Sequence, residues 1–344
     1  MDRLFIRGVN WLGDSVMTLP ALAAFCAAYP GVRIGLAAPA GVIPLWQLCP
    51  YVDGLFPLEK GLRAEWRTAQ AIRAWQPDRA VVFPNSFRSA WLPFLAGVKE
   101  RIGSAGRFRR LLLTRIVEVA PSGHHALRYY DLLELPRPAE QPEIRGHLRL
   151  DPEWSRQVIE RVRGIVGEGK AFPSPEREGW LAVLPGAARG VSKCWPADRF
   201  AAAAGRVAAA RGMGVVIAGS SSEVALCRTV AEGIRSPVVS VAGRTNAAEL
   251  AAVLAAARVV LCNDSGGMHL AAAVGTPVAA LFGVTDPART GPLGDGHRVV
   301  MAPGVRRSEA VARRSEAARA ALEAVPVEAA VEALEAILDA HGKE

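Results

Sequence analysis

Cysteines are few in this sequence and lie far apart. The 344 residues include five, which are Cys26, Cys49, Cys194, Cys227 and Cys262. No two of them have the CxxC spacing of a redox or metal motif, and no histidines and cysteines are paired as in a zinc site. The sequence therefore predicts free thiols in a reducing cytoplasm, with neither a bound metal nor another cofactor.

Long apolar runs are also absent. No such run approaches the roughly 20 residues that span a bilayer, and the stretch 1–14 lacks the pattern of a signal peptide. With 51% hydrophobic and 22% charged residues, the composition is typical of a soluble globular protein. A chain of 344 residues is too long for one ordinary core, so we expect two domains.

Charge is unbalanced, with a formal net charge of +8. This excess favours an anionic partner, such as nucleic acid, a membrane face or a phosphorylated substrate. A composition rich in arginine and alanine also produces such a charge without any binding role. The sequence lacks an aromatic and basic platform or a recognised nucleic-acid-binding motif, so no nucleic-acid partner is predicted.

Short apolar runs alternate with helical patterns along the chain, which predicts parallel sheets of the α/β class. The predicted strands of the first half cover 4–7, 32–37, 54–58 and 79–83. Those of the second half cover 180–184, 214–218, 238–242, 258–262 and 277–282. A stretch rich in Pro and Gly at 167–175 predicts a linker.

The loop at 8–15 follows the first strand and precedes an apolar helix predicted over 16–28. It resembles the phosphate-binding pattern GxxxxGK[ST], but Asp14 stands where the lysine must be, which excludes a triphosphate site. It also lacks GxGxxG, which weakens a nicotinamide or flavin interpretation. At a helix N-terminus, Asp14 fits either a general base that the helix dipole keeps ionised or a plain helix cap.

Polar residues follow the strand 79–83, at the end where open α/β sheets bind ligands. The candidate substrate contacts there are Asn85, Ser86 and Arg88. A cluster of arginines without clear periodicity comes next, at Arg107, Arg109 and Arg110. It predicts either a solvated basic loop or a clamp on an acidic acceptor.

Two loops of the second half carry residues suited to a nucleotide. The loop at 185–196 has flexible glycines, and its cations fit a diphosphate, with Lys193 as a mobile point charge or simply a solvated side chain. Glu223 opens the helix that follows the strand 214–218. A carboxylate at such an edge commonly receives a ribose diol, although capping of a Ser-rich turn explains it as well.

The stretch 258–283 contains strand, polar loop, helix and second strand within 26 positions. A strand that ends at Asn263-Asp264-Ser265 and turns into a helix leaves unpaired backbone N–H groups, which attract anions. Gly266 allows a phosphate to approach the backbone, and His269 lies in the first turn. The alternative is an ordinary helix cap with His269 as a satisfied polar residue.

The motifs GD at 13–14, PNSFRS at 84–89, PGA…SKCWP at 185–196, GSSSE at 219–223 and NDSGGMHLAAAVGTPVAALFG at 263–283 together resemble the ADP-heptose:lipopolysaccharide heptosyltransferases, most closely the heptosyltransferase II branch. The similarity runs from about residue 3 to 300 and resumes in the final helix. It implies the GT-B fold, with two Rossmann-like domains facing across a cleft. The region 303–321 departs from the family pattern, so acceptor details do not carry over there.

The resemblance implies a role for most of these residues. It makes Asp14 the catalytic base and Lys193 the cation that neutralises the departing diphosphate. The implied donor-binding residues are Arg189, Ser192, Glu223, Thr245, Asp264, Ser265, Gly266 and His269. The acceptor would contact Asn85, Ser86 and Arg88 on the first domain.

The implied function is inverting transfer of heptose from ADP-heptose to the inner core of lipopolysaccharide, on a Kdo- or heptose-bearing lipid A acceptor. The enzyme would be cytoplasmic and peripheral to the inner membrane. Three alternatives stay open: transfer of another nucleotide sugar, a regulator that binds a nucleotide without catalysis, and a nucleotide-sugar epimerase. We expect an acceptor domain at 1–165, a nucleotide-sugar domain at 176–325 and a C-terminal helix at 326–344.

Overall fold

A computed structural model describes residues 1–165, 179–187, 194–304 and 315–341. It divides the chain into two compact units, Met1–Arg149 and Leu150–Glu344. The helix at 152–165, which the sequence assigns to the first domain, groups with the second unit. Its Arg161 forms an ion pair with Glu249 of that unit at 2.8 Å.

The first unit is built on a sheet of six parallel strands. These are β1 (Arg3–Arg7), β2 (Arg33–Pro39), β3 (Gly54–Leu58), β4 (Arg79–Val82), β5 (Glu100–Ser104) and β6 (Arg115–Val117). Their order in space is β3-β2-β1-β4-β5-β6, the strand order of a Rossmann domain. The sequence predicts the first four strands but not β5 or β6, both of which begin with a charged residue.

Helices connect these strands and cover the sheet. They are α1 (Leu12–Met17), α2 (Leu19–Ala28), α3 (Ile43–Gln47), α4 (Leu62–Trp75), α5 (Phe87–Leu95) and α6 (Leu127–Leu132). The prediction of a loop through residue 15 is wrong, because α1 already begins at Leu12. Thr18 separates α1 from α2, and the second residue of α2 is Pro20. Proline is tolerated at that position because the N–H it lacks has no partner in a first turn.

The second unit repeats the same plan with six further parallel strands. These are β7 (Trp180–Leu184), β8 (Gly214–Ile217), β9 (Val238–Ser240), β10 (Ala257–Asn263), β11 (Val278–Phe282) and β12 (Arg298–Met301). Their order in space is β12-β11-β10-β7-β8-β9, again that of a Rossmann domain. The five strands predicted from the sequence are all confirmed, and β12 is an addition.

The helices of the second unit include the C-terminal segment. They are α7 (Pro152–Ile165), α8 (Ala197–Arg211), α9 (Val224–Glu232), α10 (Ala247–Ala255), α11 (Gly266–Ala273), α12 (Pro287–Thr290), α13 (Glu316–Glu323) and α14 (Val327–His341). Leu334, Ile337 and Leu338 of α14 lie in the same core cluster as Leu181 and Leu261 of the sheet. The C-terminal helix is therefore part of this unit rather than a separate appendage.

Rossmann-like order creates a particular place for a ligand in each unit. In the first sheet, β2 and β3 lie on one side of β1 and β4 to β6 on the other, so the strand order reverses between β1 and β4. In the second sheet, the strand order reverses between β7 and β10. Open α/β sheets bind ligands outside the carboxyl ends of the strands at such a point.

Among the described helices, none combines the length and apolar character needed to cross a bilayer.

Candidate functional site

Asp14 lies at the carboxyl edge of the first sheet, in the helix that follows β1. Asp14 is the third residue of α1, whose first turn contains no other acidic side chain, and it is half-buried. The positive end of a helix favours an ionised carboxylate at this position. Trp11 rather than Asp14 is the N-cap residue of α1, and the role of Asp14 as a base stays a prediction.

Tyr129 of α6 belongs to the surroundings of Asp14. Burial raises the pKa of the Tyr129 hydroxyl, and the charge of Asp14 raises it further. The ring packs against Phe83, with centroids 5.1 Å apart, and the Arg128 guanidinium lies over it at 5.9 Å. The Tyr129 hydroxyl therefore remains neutral near the charge of Asp14.

The three predicted acceptor contacts lie at the start of α5, next to the point where the strand order of the first sheet reverses. Ser86 caps this helix, since its Oγ accepts a hydrogen bond from the Ser89 amide at 3.2 Å. Asn85 is exposed. Arg88 donates through Nε to Glu65 at 3.0 Å. The structure places them together on one edge, and their contact with an acceptor stays a prediction.

The arginine cluster at 107–110 divides into two kinds of residue. Arg107 and Arg110 are exposed, as the solvated-loop interpretation requires. Arg109 is completely buried, and its Nη1 donates to the Ser104 carbonyl at 2.7 Å and the Ser104 hydroxyl at 3.0 Å. Burial, together with the charge of Arg128, lowers the pKa of Arg109 to about 10. Arg109 therefore holds the end of β5 and remains charged at neutral pH.

Asn263 joins two loops at the carboxyl edge of the second sheet. This completely buried side chain lies at the end of β10. Its Oδ1 accepts from the Trp195 amide at 3.0 Å, and its Nδ2 donates to the Pro185 carbonyl at 2.7 Å. The Asn263 side chain is therefore hydrogen-bonded to both ends of the loop between β7 and α8. This loop lies at the point where the strand order of the second sheet reverses.

Glu223 lies where the loops after β7 and β8 meet. Its Oε2 accepts from the Ser220 amide at 2.7 Å and the Ser220 hydroxyl at 2.8 Å, which forms a capping box. A Cβ at Gly186 would overlap the other carboxylate oxygen, so only glycine fits there without moving Glu223. Burial, together with the charge of Glu223, raises the pKa of the Cys194 thiol to about 11. Capping is thus shown for Glu223, and its contact with a ribose stays a prediction.

The polar stretch after β10 opens α11 as the sequence predicts. Ser265 is the N-cap residue, yet its side chain makes no capping hydrogen bond. Asp264 accepts from the Thr285 hydroxyl at 2.9 Å, which connects it to the loop after β11. Gly266 is the first helical residue, and His269 is 5% exposed. The N-terminus of α11 therefore has a backbone suited to an anion.

Thr245 lies half-buried in the loop after β9, immediately before the N-cap of α10. This loop is joined to the one after β8, because the Gly243 amide donates to the Gly219 carbonyl at 2.9 Å. Arg189, Ser192 and Lys193 lie outside the described residues, so their predicted roles rest on the resemblance. In the described part of the chain, no three acidic, histidine or cysteine side chains are grouped so that they could hold a metal ion.

Comparison with known proteins identifies this arrangement. A family model described as glycosyltransferase family 9 (heptosyltransferase) matches residues 65–319, which is more than half of the chain. The chain belongs to this family. It is therefore a glycosyltransferase, as the sequence predicts.

Relatives of this glycosyltransferase resemble it over most of its length. Lipooligosaccharide heptosyltransferase 2 of Haemophilus influenzae is 28% identical over 314 residues, covering 86% of this chain and 88% of that protein. Lipopolysaccharide heptosyltransferase 2 of Escherichia coli K12 is 28% identical over 319 residues, covering 87% of each. The solved structure of E. coli ADP-heptose lps heptosyltransferase II matches with a TM-score of 0.83 and 26% identity, covering 99% of this chain and 100% of that one. With the two parallel sheets, this match confirms the predicted GT-B class.

Asn263 and Arg109 are structural parts of this glycosyltransferase that sequence reasoning does not find. Asn263 directly precedes Asp264, and the sequence pattern places it in a polar loop. Its hydrogen-bond partners lie 68 and 78 positions away in the sequence. Arg109 stands between two exposed arginines, and nothing local distinguishes it. A signal exists only for Asn263, because a polar residue that ends a fully apolar strand must find partners when buried.

Proposed function

We propose that this glycosyltransferase transfers heptose from ADP-heptose to the inner core of lipopolysaccharide, with inversion at the anomeric carbon. One observation carries the proposal: the chain resembles heptosyltransferase 2 enzymes over 86–87% of its length. The matching solved structure is named for an ADP-heptose donor. The acceptor is lipid A that bears Kdo and heptose.

Asp14 acts as the base in this proposal. It takes the proton of the acceptor hydroxyl, whose oxygen then forms a bond to the anomeric carbon. The bond between that carbon and the diphosphate breaks, and ADP leaves with the electron pair. No covalent sugar intermediate forms, so configuration inverts. The position of Asp14 in the first turn of α1, which favours its ionised form, supports this role.

Donor binding is proposed for the carboxyl edge of the second sheet. The amides that open α11 at Gly266, together with Ser265, Asp264 and His269, surround the phosphates and sugar. Glu223 contacts the ribose, and Thr245 lies near the adenosine. Arg189, Ser192 and Lys193 complete the donor set, with Lys193 offsetting the charge that develops on the departing diphosphate. Removing one electrostatic contact of this kind costs on the order of a hundredfold in rate.

The acceptor places the reaction at a membrane. Asn85, Ser86 and Arg88 contact its sugars from the edge of the first sheet. The enzyme is cytoplasmic and associates peripherally with the anionic face of the inner membrane, which the net charge of +8 favours.

The decisive experiment replaces the base without changing its shape. We expect Asp14→Asn to abolish transfer while the affinity for ADP-heptose stays nearly unchanged, because the amide cannot accept the proton. Donor affinity is measured by calorimetry and transfer by mass spectrometry of the product. Asp151→Asn is the matched control, since Asp151 caps α7 through a bond to the Trp154 amide that asparagine can replace. Full activity of Asp14→Asn would remove the base assignment.

A panel of donors and acceptors separates the remaining alternatives. Product formed only from another nucleotide sugar would replace heptose as the transferred residue. Nucleotide binding without transfer to any acceptor would indicate a regulator. Conversion of a nucleotide sugar without an acceptor would indicate an epimerase.

A further inference from the structure

Large apolar side chains are exposed along one edge of the first unit. The six that this edge carries are Trp11, Leu62, Trp66, Phe87, Phe108 and Leu111, with exposed fractions of 50%, 82%, 52%, 42%, 61% and 73%. We call them the apolar edge. Among the described residues of the second unit, only Val224 and Val299 are large apolar side chains with a comparable exposure, at 37% and 42%. Scattered exposed apolar residues are ordinary, but a contiguous set marks an interaction surface.

Topology places these six residues together. Trp11 follows β1 as the N-cap of α1, and Leu62 and Trp66 lie in the first two turns of α4 after β3. Phe87 is the first residue of α5 after β4. Phe108 and Leu111 follow β5. All strands of this sheet are parallel, so each of these positions lies at its carboxyl edge.

The edge extends over five neighbouring strands, from β3 to β5. With strands about 4.8 Å apart, it is about 19 Å wide. Its parts are joined to one another. Arg88 beside Phe87 pairs with Glu65 beside Trp66, and a Cβ at Gly106 would lie 3.0 Å from the Asn85 carbonyl.

Cations are interleaved with the apolar edge. Arg67 and Arg88 are paired with Glu59 and Glu65. Three further exposed arginines have no ion-pair partner in the described parts of the chain, and these are Arg63, Arg107 and Arg110. The Arg107 guanidinium lies over the Phe108 ring at 5.1 Å. Aromatic and leucine side chains flanked by arginines are the composition that enters the interface of an anionic bilayer.

We infer that the apolar edge docks this enzyme onto an anionic lipid bilayer, with its aromatic and leucine side chains in the headgroup region and its arginines on the lipid charges. The inference extends the proposed function, from which it takes an acceptor anchored in a membrane. The same sheet edge carries Asp14 and the predicted acceptor contacts. Docking there brings the acceptor sugars to the edge without extracting the lipid from the bilayer.

The test measures binding of the full chain to vesicles, with no donor or acceptor present. We expect sedimentation with vesicles of phosphatidylcholine and phosphatidylglycerol, weaker binding to phosphatidylcholine alone, and partial release by salt. Two double variants, Leu62→Ser/Trp66→Ser and Phe108→Asn/Leu111→Ser, are each expected to lower the partition coefficient about tenfold or more. Asparagine suits position 108, because Phe108 has a φ of 59°.

Phe94→Ser is the matched control. Phe94 is 40% exposed and lies on the same helix as Phe87, but in its last turn, at the opposite edge of the sheet. It is expected to bind vesicles like the unmodified chain. Thermal unfolding of all variants checks that each is folded.

Four results would overturn the inference. Three are absence of vesicle binding by the unmodified chain, equal binding by the double variants, and an equal loss in Phe94→Ser. The fourth is a dimer in solution that the double variants dissociate, which would make the edge an interface between copies. Transfer to a delipidated acceptor is assayed separately. It reports on the proposed function, because such an acceptor needs no bilayer, so failure of docking and failure of the function remain distinguishable.

Discussion

At the scale of single residues, position along a strand or helix decides what a polar side chain does. Asp14 and Ser265 each stand within a residue or two of a helix start, where backbone N–H groups lack intrahelical partners. The sequence reveals such positions because caps and turns have local signatures. It leaves the choice between cap and functional group open. The structure shows that Ser86 and Glu223 both cap, and their contacts with acceptor and ribose stay predictions.

Asn263 provides a prediction at this scale. Asn263→Ala leaves the buried Trp195 amide and Pro185 carbonyl without partners, which costs about 1–3 kcal/mol of unfolding free energy for each group. If Asn263 also positions the loop between β7 and α8 for the donor, the KM for ADP-heptose rises on the order of tenfold. Urea denaturation and steady-state kinetics measure the two effects.

Ser315→Ala is the control for Asn263. Ser315 caps α13 by accepting from the Ala318 amide at 3.2 Å, and losing such a cap costs about 1 kcal/mol. We expect this variant to lose stability while its KM is unchanged. An unchanged donor KM in Asn263→Ala would reduce Asn263 to a purely structural role.

At the scale of elements, the helices are predicted better than the strands at the sheet ends. The apolar spacing of the sequence predicts helices at about 64–75, 198–211, 247–257 and 327–340, and α4, α8, α10 and α14 begin and end within two residues of these bounds. Strands β5, β6 and β12 are missed. Each begins with a charged residue, and β6 and β12 have only three and four residues. Such strands form mainly through hydrogen bonds to a neighbour already in place, a property that no local pattern records.

The packing of α14 gives a prediction for an element. Leu334 is completely buried in a core cluster with Val207 of α8 and Ala279 of β11. Leu334→Ala should lower the free energy of unfolding by about 2–5 kcal/mol, since a cavity remains in a close-packed core. Glu332→Ala on the same helix is exposed and should change it by less than about 0.5 kcal/mol. Equal effects of the two substitutions in urea denaturation would contradict this packing.

At the scale of the whole molecule, both units contain thiols that burial keeps neutral. Burial raises the pKa of Cys49 to about 12 and that of Cys227 to about 12, and it also raises that of Cys262. The unfolded chain releases these protons near the ordinary value of 9.0, whereas the folded chain retains them. Stability is therefore fully present below about pH 9 and falls as pH rises toward 12.

Urea midpoints from about pH 7.5 to about pH 9.5 test this dependence. This range stays below the lowered pKa of about 10 of Arg7 and Arg109, whose titration acts in the opposite direction. We expect the midpoint to fall as pH rises, and to fall less steeply in Cys49→Ala/Cys227→Ala. A midpoint independent of pH in the unmodified chain would contradict the burial of these thiols.

Local patterns in the sequence were sufficient for the α/β class, for nine of the twelve strands that the described residues form, and for the polar loops that follow them. These features depend on the spacing of apolar residues and on turn residues, and both act over a few positions of the chain. The folded structure was needed to show that Arg109 is buried, that Asn263 joins both ends of a loop, and that six apolar side chains share one sheet edge. Such contacts join residues many positions apart, and packing rather than local propensity selects them.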